Sequence, residues 1–563
     1  MKNLLIGASA LALVTACGGA SEDEVASTVS DAGSAAVESA EDALSALSNI
    51  TLRGGDASKA EEALAAMSLT TSGEGRVSFA EREVDGASAR FEDVSITIPE
   101  ADGNDDEDDI DFDGGAMNIG RVEFEGLDVT EAGATFSRMT LDGIEIVPND
   151  PEAAEAADVG IGQIEMLNPS PELAAWVASL MGNGAPAPFP SGDGLSFDKM
   201  SLSDFSAEVD DPEDGDTADI AIASIDFGSA GEDRLGVASL KGVSMDISDS
   251  EEDAEFTLSL GSMSVAGAKT GIINAFADAA ADGDDEAAAA VLGKLYDNPV
   301  DPGFDRFELS DFAFNGEGVS LAMPTLNSFV NRRTDGEPVG FVTEPYALTL
   351  SADPDGGEAG GELAGALGMI GFETIELTGQ GKSSYDPDTD VLTMAAGDNI
   401  LELKDGFTMK LGAEIGGYKA YGAAFQDMDF SSMAEGGQPD PTMMQDAMSA
   451  LSLSGFELEF DDNSIVDRVF NLIAAQSGED PQSVRNQTVG MVSMAPMMAG
   501  GAGVDMNLVT EATTALSAFL QSPGTLTIKL DPETPLSAAM FESLEDPSSL
   551  TKETLGFSMT HSE

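Results

Sequence analysis

Met139-Thr-Leu-Asp-Gly-Ile-Glu-Ile146 is the stretch that decides the fold. Apolar residues stand at 139 and 141, then at 144 and 146, so a period-two alternation slips one place at Gly143 and resumes. That alternation marks a half-buried antiparallel strand. A Gly or Asp at the slip predicts a bulge that bends it. The phrase recurs, with variations, at Phe91–Ile98, Val122–Val129, Met200–Phe205, Ala238–Ile247, Phe307–Phe312 and Leu451–Phe460. One such phrase carries little weight, but this many predict a long, bent antiparallel sheet.

Larger units repeat as well. Phe197-Asp-Lys-Met-Ser-Leu-Ser-Asp-Phe205 realigns on Phe304-Asp-Arg-Phe-Glu-Leu-Ser-Asp-Phe312, and Met139–Ile144 realigns on Ala238–Val243. A helical insert lies between the anchors of each copy: Pro171–Met181, with the chain's one tryptophan, Trp176, and then Gly271–Tyr296. Residues 134–233 and 234–325 therefore read as tandem strand–strand–helix–strand units inside a strand-repeat region spanning 68–438. Trp176 is expected to join helix to sheet in the core. Acidic stretches follow the strand phrases at Glu100–Asp109, Asn149–Asp158, Asp210–Asp219, Ser248–Glu255 and Asp353–Glu362. If these are hairpin connections, they gather into a negative rim that discourages edge-to-edge association.

The segment 439–563 is expected to be mainly helical. Ile465, Val466, Val469, Phe470 and Ile473 mark one apolar face; Leu508, Val509, Ala512, Leu516, Phe519 and Leu520 mark another. Ser464 with Asp467 predicts a capping box, and Gly478 predicts the helix end. Arg468 and Arg485 are rare cations here; each can be solvated, or buried against Asp462 or Asp467. The fold class expected is α+β, mainly β: a long bent antiparallel repeat sheet with helices packed on one side and a helical C-terminal region.

Charge narrows the partners. With 104 acidic against 24 basic residues the net charge is -80, so nucleic acid and anionic lipid surfaces, which need a basic footprint, are poor partners. The lone histidine, His561, is three residues from the end and is expected to fray, which leaves no Ser-His-Asp triad. Ser-x-x-Lys occurs at Ser196/Lys199 and Ser549/Lys552 without a second hydrolase motif. A carboxylate-pair glycosidase would lack stacking aromatics, given one tryptophan and five tyrosines. No catalytic signature results, and the chain is read as a non-enzyme. Asp109, Asp111 and Asp113 open like a calcium loop, but the twelfth position is Gly120 instead of the bidentate glutamate. Weak Ca²⁺ binding is the most that is expected, and no other cofactor. Met491, Met494, Met497 and Met498 fall at near-helical spacing; thioethers suit Cu(I), but core filler is the expectation.

The first 17 residues resemble a known sorting signal. Lys2 precedes a short apolar run that ends in Val14-Thr15-Ala16-Cys17, and Cys17 is the only cysteine. The run is too short to span a bilayer as a stable helix. It resembles the bacterial lipoprotein signal, whose lipobox places small residues before the lipidated cysteine. The resemblance implies cleavage before Cys17, lipidation there, and a location in the cell envelope at the outer membrane, facing periplasm or cell surface. Residues 18–67 would then be a tether with surface helices. In texture alone, the strand repeats resemble AsmA-like envelope proteins. Two functions follow as expectations: a structural or interaction role with an unknown partner, or a carrier of lipid or another apolar ligand in the groove of a curved sheet.

Overall fold

The computed structural model describes residues 50–73, 76–98, 115–149, 156–181, 190, 194, 196–210, 217–230, 234–249, 254–269, 298–426, 449–499, 505–537 and 551–563. Cys17, residues 18–49, the Asp109/Asp111/Asp113 loop and the second helical insert lie outside these residues, whereas the expected surface helix before residue 67 is instead built into the core, with Ala60, Ala63, Leu64 and Met67 at most 1% exposed. The fold is α+β and mainly β, built from antiparallel strands. It divides into two units, residues 38–274 with 306–317, and residues 275–305 with 318–563.

In the first unit, α1 (Ala60–Ala66) precedes β1 (Val77–Ser78), β2 (Glu81–Asp85), β3 (Ser88–Ile98) and β4 (Gly115–Glu125). A small ribbon follows, β5 (Asp128–Thr130) and β6 (Gly133–Thr135), then β7 (Arg138–Pro148), β8 (Ala157–Leu167) and α2 (Pro171–Met181). The unit closes with β9 (Phe197–Asp210), β10 (Thr217–Ala230), β11 (Arg234–Asp249), β12 (Ala254–Lys269) and β13 (Arg306–Gly316). From β3 to β13 each long strand pairs antiparallel with the next: β3–β4–β7–β8–β9–β10–β11–β12–β13. Such an up-and-down order places the ends of β3, β7, β9 and β11 on one sheet edge, and four of the acidic stretches leave from these ends.

The slip in the strand phrases has a definite structure. Asp93, Gly143, Asp204, Gly242 and Asp311 have left-handed backbones, with φ of 50°, 65°, 55°, 60° and 52°. They sit on alternate strands, and the flanking pairs set them opposite Gly120, Gly162, Ala223 and Gly261 on the strands between. One rung of the sheet, crossing nine strands, is thus made of left-handed and small residues alone. The predicted one-residue bulge is not what forms: the register runs through the rung unshifted, and both strands slip together. A left-handed residue rotates the chain half a step, so positions two before and one after it keep the same face. This is why Leu141 and Ile144 are both buried. The small partner is needed for room, because a Cβ on Gly162 would lie 2.7 Å from Asp204 Cβ and one on Gly261 would lie 2.9 Å from Asp311 Cβ. The phrase at Leu451–Phe460 does hold a true bulge, its register shifting by one at Glu414/Ile415.

The core of this unit gathers Phe91, Val94, Ile119, Val122 and Phe124 from the sheet, Leu64 and Met67 from or beside α1, and Leu173 and Ala174 from α2. Trp176 packs against it, partly buried.

The second unit runs β14 (Val319–Arg332), β15 (Pro338–Ala352), α3 (Glu358–Met369), β16 (Thr374–Asp386), β17 (Val391–Met394), β18 (Ile400–Leu403), β19 (Phe407–Gly416) and α4 (Tyr418–Gln426). It continues with β20 (Ser452–Asp462), α5 (Ile465–Ser477), α6 (Pro481–Ala499), α7 (Met506–Gln521), β21 (Thr525–Leu530), β22 (Leu536–Ser537), α8 (Lys552–Leu555) and β23 (Phe557–Ser562). The C-terminal helices are interleaved with strands that pair back through β20 onto β19.

Several local expectations change here. On α5 the buried residues are Phe470 and Ala474, whereas Val469 and Ile473 are exposed, so the apolar face is rotated toward α6. Ser464 makes no capping hydrogen bond to the helix; its hydroxyl donates to the Asp405 carbonyl, and Asp462 accepts from the Val466 amide at 2.8 Å. Asp467 is free for another partner, and Arg485 takes it. Arg485 is 9% exposed, and its guanidinium stacks over Phe470 at 4.8 Å and donates to the Leu520 carbonyl at 3.0 Å. Arg468 stacks over Phe372 at 4.0 Å and donates to Ser464 Oγ at 2.7 Å. Gly478 closes α5 with φ of 71°, as its sequence position predicts. Met491, Met494 and Met497 are not core filler, being 61%, 53% and 83% exposed, and the Met498 side chain lies outside the described residues.

Candidate functional site

Three residues along each strand from the rung of left-handed and small residues, which creases the sheet, lies another continuous row. Cross-strand pairing links Ile96, Met117, Ile146, Val159, Ala207, Ile220, Met245, Leu258 and Phe314, one apolar residue from each of nine strands. With strands about 4.8 Å apart, the row is roughly 38 Å long. Every member is half-buried, neither sealed nor free. On the crease side of it, Val94, Ile119 and Ile144 are 1–2% exposed beneath the packed elements of the core. On β3, β4 and β7 the strip therefore borders the closed core, whereas on β8–β11 its crease-side neighbours Ile161, Phe205, Ile222 and Val243 are half-buried like the strip itself. Period-two alternation alone makes such a row visible in sequence, but its length needed the register.

The opposite face carries charge. Asp158 pairs with Glu208, Glu208 with Asp219, and Asp219 with Asp246, so four carboxylates stand side by side on β8–β11. All are exposed, and none has an ion pair among the described residues. Elsewhere on this face the scarce cations are engaged: Arg121 bonds Asp142 at 2.6 Å and Lys199 bonds Glu165 at 3.1 Å. Among the described residues no cluster of three or more His, Cys, Asp or Glu side chains could hold a metal ion, and no helix is long and apolar enough to cross a membrane.

In the second unit an open cleft of about 700 Å³ lies between α7 and β23, lined by Thr510, Glu511, Thr514, Lys552 and His561 among others. His561 does not fray: within β23 it pairs with Leu526 of β21 and sets its ring edge-on to Phe519 at 6.1 Å. Pairing on β21 and packing on α7 give this strand tertiary support that proximity to the terminus did not suggest. Its Nε2 is buried and lacks a hydrogen-bond partner among the described residues. Lys552 bonds Glu511, whose other oxygen accepts the Met559 amide at 3.1 Å. The ammonium and that amide hold the Glu511 carboxyl below the usual carboxylate range. The amides of Lys552 and Asn507 do the same for Asp505, which caps α7. Glu511 correspondingly raises the Lys552 ammonium. The acids and the lysine reinforce one another as ions, the reverse of a carboxyl raised to act as a proton donor at neutral pH. In the two Ser-x-x-Lys positions, Lys199 and Lys552 are tied to Glu165 and Glu511, and Ser549 lies outside the described residues.

A family model described only as "Uncharacterized protein" matches residues 400–562, the stretch that holds this cleft. No curated protein matches the chain.

Proposed function

We propose that this chain is a non-catalytic protein of the cell envelope, held to the membrane by a lipid on Cys17, whose first unit takes an apolar ligand such as a lipid acyl chain along the Ile96-to-Phe314 strip. The half-buried row of nine residues carries this reading. Burial of apolar surface is favourable by roughly 25 cal/mol per Å², and an extended row of half-covered Ile, Met, Leu and Phe leaves that gain available to a ligand. The negative charge disfavours an anionic lipid surface as the docking partner and leaves the covalent lipid as the membrane link. Native mass spectrometry of the full chain purified from membranes tests the reading. A retained lipid, lost when Ile220 and Met245 are both changed to Asp, is expected; a lipid-free wild type would overturn it.

An interaction role has one observation of its own. Val469 and Ile473, one turn apart on α5, are 42% and 41% exposed. If they meet a protein partner, Val469→Glu with Ile473→Glu should abolish a crosslink from α5 while leaving retained lipid unchanged.

A further inference from the structure

Helix α6 ends in a sequence that the packing of the unit does not use. Its inner face is closed, with Val484, Arg485 and Val489 each 8–9% exposed against neighbouring helices. Its outer face holds Met491, Met494 and Met497, and these are among the most exposed large apolar side chains in the described residues. Nothing in a solvated helix surface calls for three methionines. Charged or amide side chains hold a helix equally well there without exposing apolar area. The chain elsewhere has acids in abundance, yet Pro481–Ala499 contains no Asp or Glu.

The polar hydroxyls along this stretch bond back to the helix backbone. Ser493 Oγ donates to the Val489 carbonyl at 2.7 Å, and Thr488 Oγ1 to the Val484 carbonyl at 3.0 Å. The thioethers are left as the outward donors of this face. Spacing of i, i+3 sets successive Cβ atoms about 5–6 Å apart, and methionine's three rotatable bonds let neighbouring sulfurs converge on one ion. Thioether sulfur is soft and neutral, so it favours Cu(I) or Ag(I) over Ca²⁺ and Mg²⁺.

We propose that Met491, Met494 and Met497 form a surface site for a soft monovalent cation, Cu(I) or its redox-inert analogue Ag(I). The site does not depend on the apolar strip. A strongly negative chain raises the local concentration of any cation, and the thioethers supply the selectivity that carboxylates lack.

The test uses the full chain, acylated and in neutral detergent, with Ag(I) in chloride-free buffer, beside the triple variant Met491→Leu/Met494→Leu/Met497→Leu. Leucine keeps helix propensity and apolar character, and exposed positions leave folding intact, which an unchanged Tm verifies. The expected result is one Ag(I) per wild-type chain, undisturbed by millimolar Ca²⁺, with affinity at least ten-fold weaker in the variant. Copper-edge X-ray absorption of the Cu(I) form should show sulfur in the first shell. Equal Ag(I) binding by both proteins, displacement by Ca²⁺, or an oxygen-only shell would each overturn the proposal. A protein-docking role for this face would appear as loss of neither ion nor affinity in the leucine variant.

Discussion

The crease across the first unit makes a coupled prediction at Gly162 and Asp204. In Gly162→Ala the new methyl would lie 2.7 Å from Asp204 Cβ and 3.0 Å from its Oδ2. The nearer atom is fixed to the backbone, so the strands must part. Overpacking of this kind costs about 1–3 kcal/mol, offset by roughly 0.4–1 kcal/mol because alanine restricts the unfolded chain. A net loss of about 1–2 kcal/mol is expected. Asp204→Gly removes the obstructing Cβ and suits φ of 55°, against a backbone-entropy loss of roughly 0.5–1 kcal/mol. In that background Gly162→Ala should be neutral or slightly stabilising, which makes the coupling energy about 1–3 kcal/mol. Urea unfolding of the wild type, both single variants and the double variant, with m held constant, measures it. A Gly162→Ala loss of the same size with and without the Asp204 side chain would refute the reasoning.

Three further outcomes are expected. Asp219→Asn relieves repulsion from Glu208 and Asp246, pairs that face each other at about 5 Å, and should raise Tm by a degree or two at low salt; the gain should vanish in 1 M NaCl, where screening acts within about 3 Å. Phe519→Ala, at a ring that is 5% exposed and packed on Phe460 and His561, should cost about 3–5 kcal/mol in denaturant unfolding. Glu511 and Asp505 have folded pKa values below their unfolded ones, so their stabilisation is complete above the ordinary carboxylate range and is lost as pH falls through the folded values; the acid limb of Tm against pH should be shallower in Glu511→Gln than in the wild type.

Period-two alternation made the strands legible, because a half-buried face writes itself directly into sequence. Gly143 and Asp204 were recognisable as special for the same reason. Their left-handed backbone and alignment into one rung were not, because they arise from pairing between strands far apart in the chain. The acidic ladder was hidden likewise: Asp158 and Glu208 are fifty residues apart and meet only through register. On α5, helical spacing identified the apolar residues but not their rotation. Phe470 and Ala474 turn inward onto Val484 of α6, a tertiary contact that the wider stripe containing Val469 and Ile473 does not reveal. Nearness of His561 to the terminus carries no information about its pairing with Leu526, which holds it in β23.

The central claim is that an apolar chain lies along the Ile96-to-Phe314 row. A diazirine-bearing acyl lipid, photolysed on the full-length protein and mapped by peptide mass spectrometry, tests it most directly. Labels concentrated on Ala207, Ile220, Met245 and Leu258, and competed away by unlabelled lipid, are predicted. Labels confined to other surfaces, or incorporation that unlabelled lipid does not reduce, would contradict it.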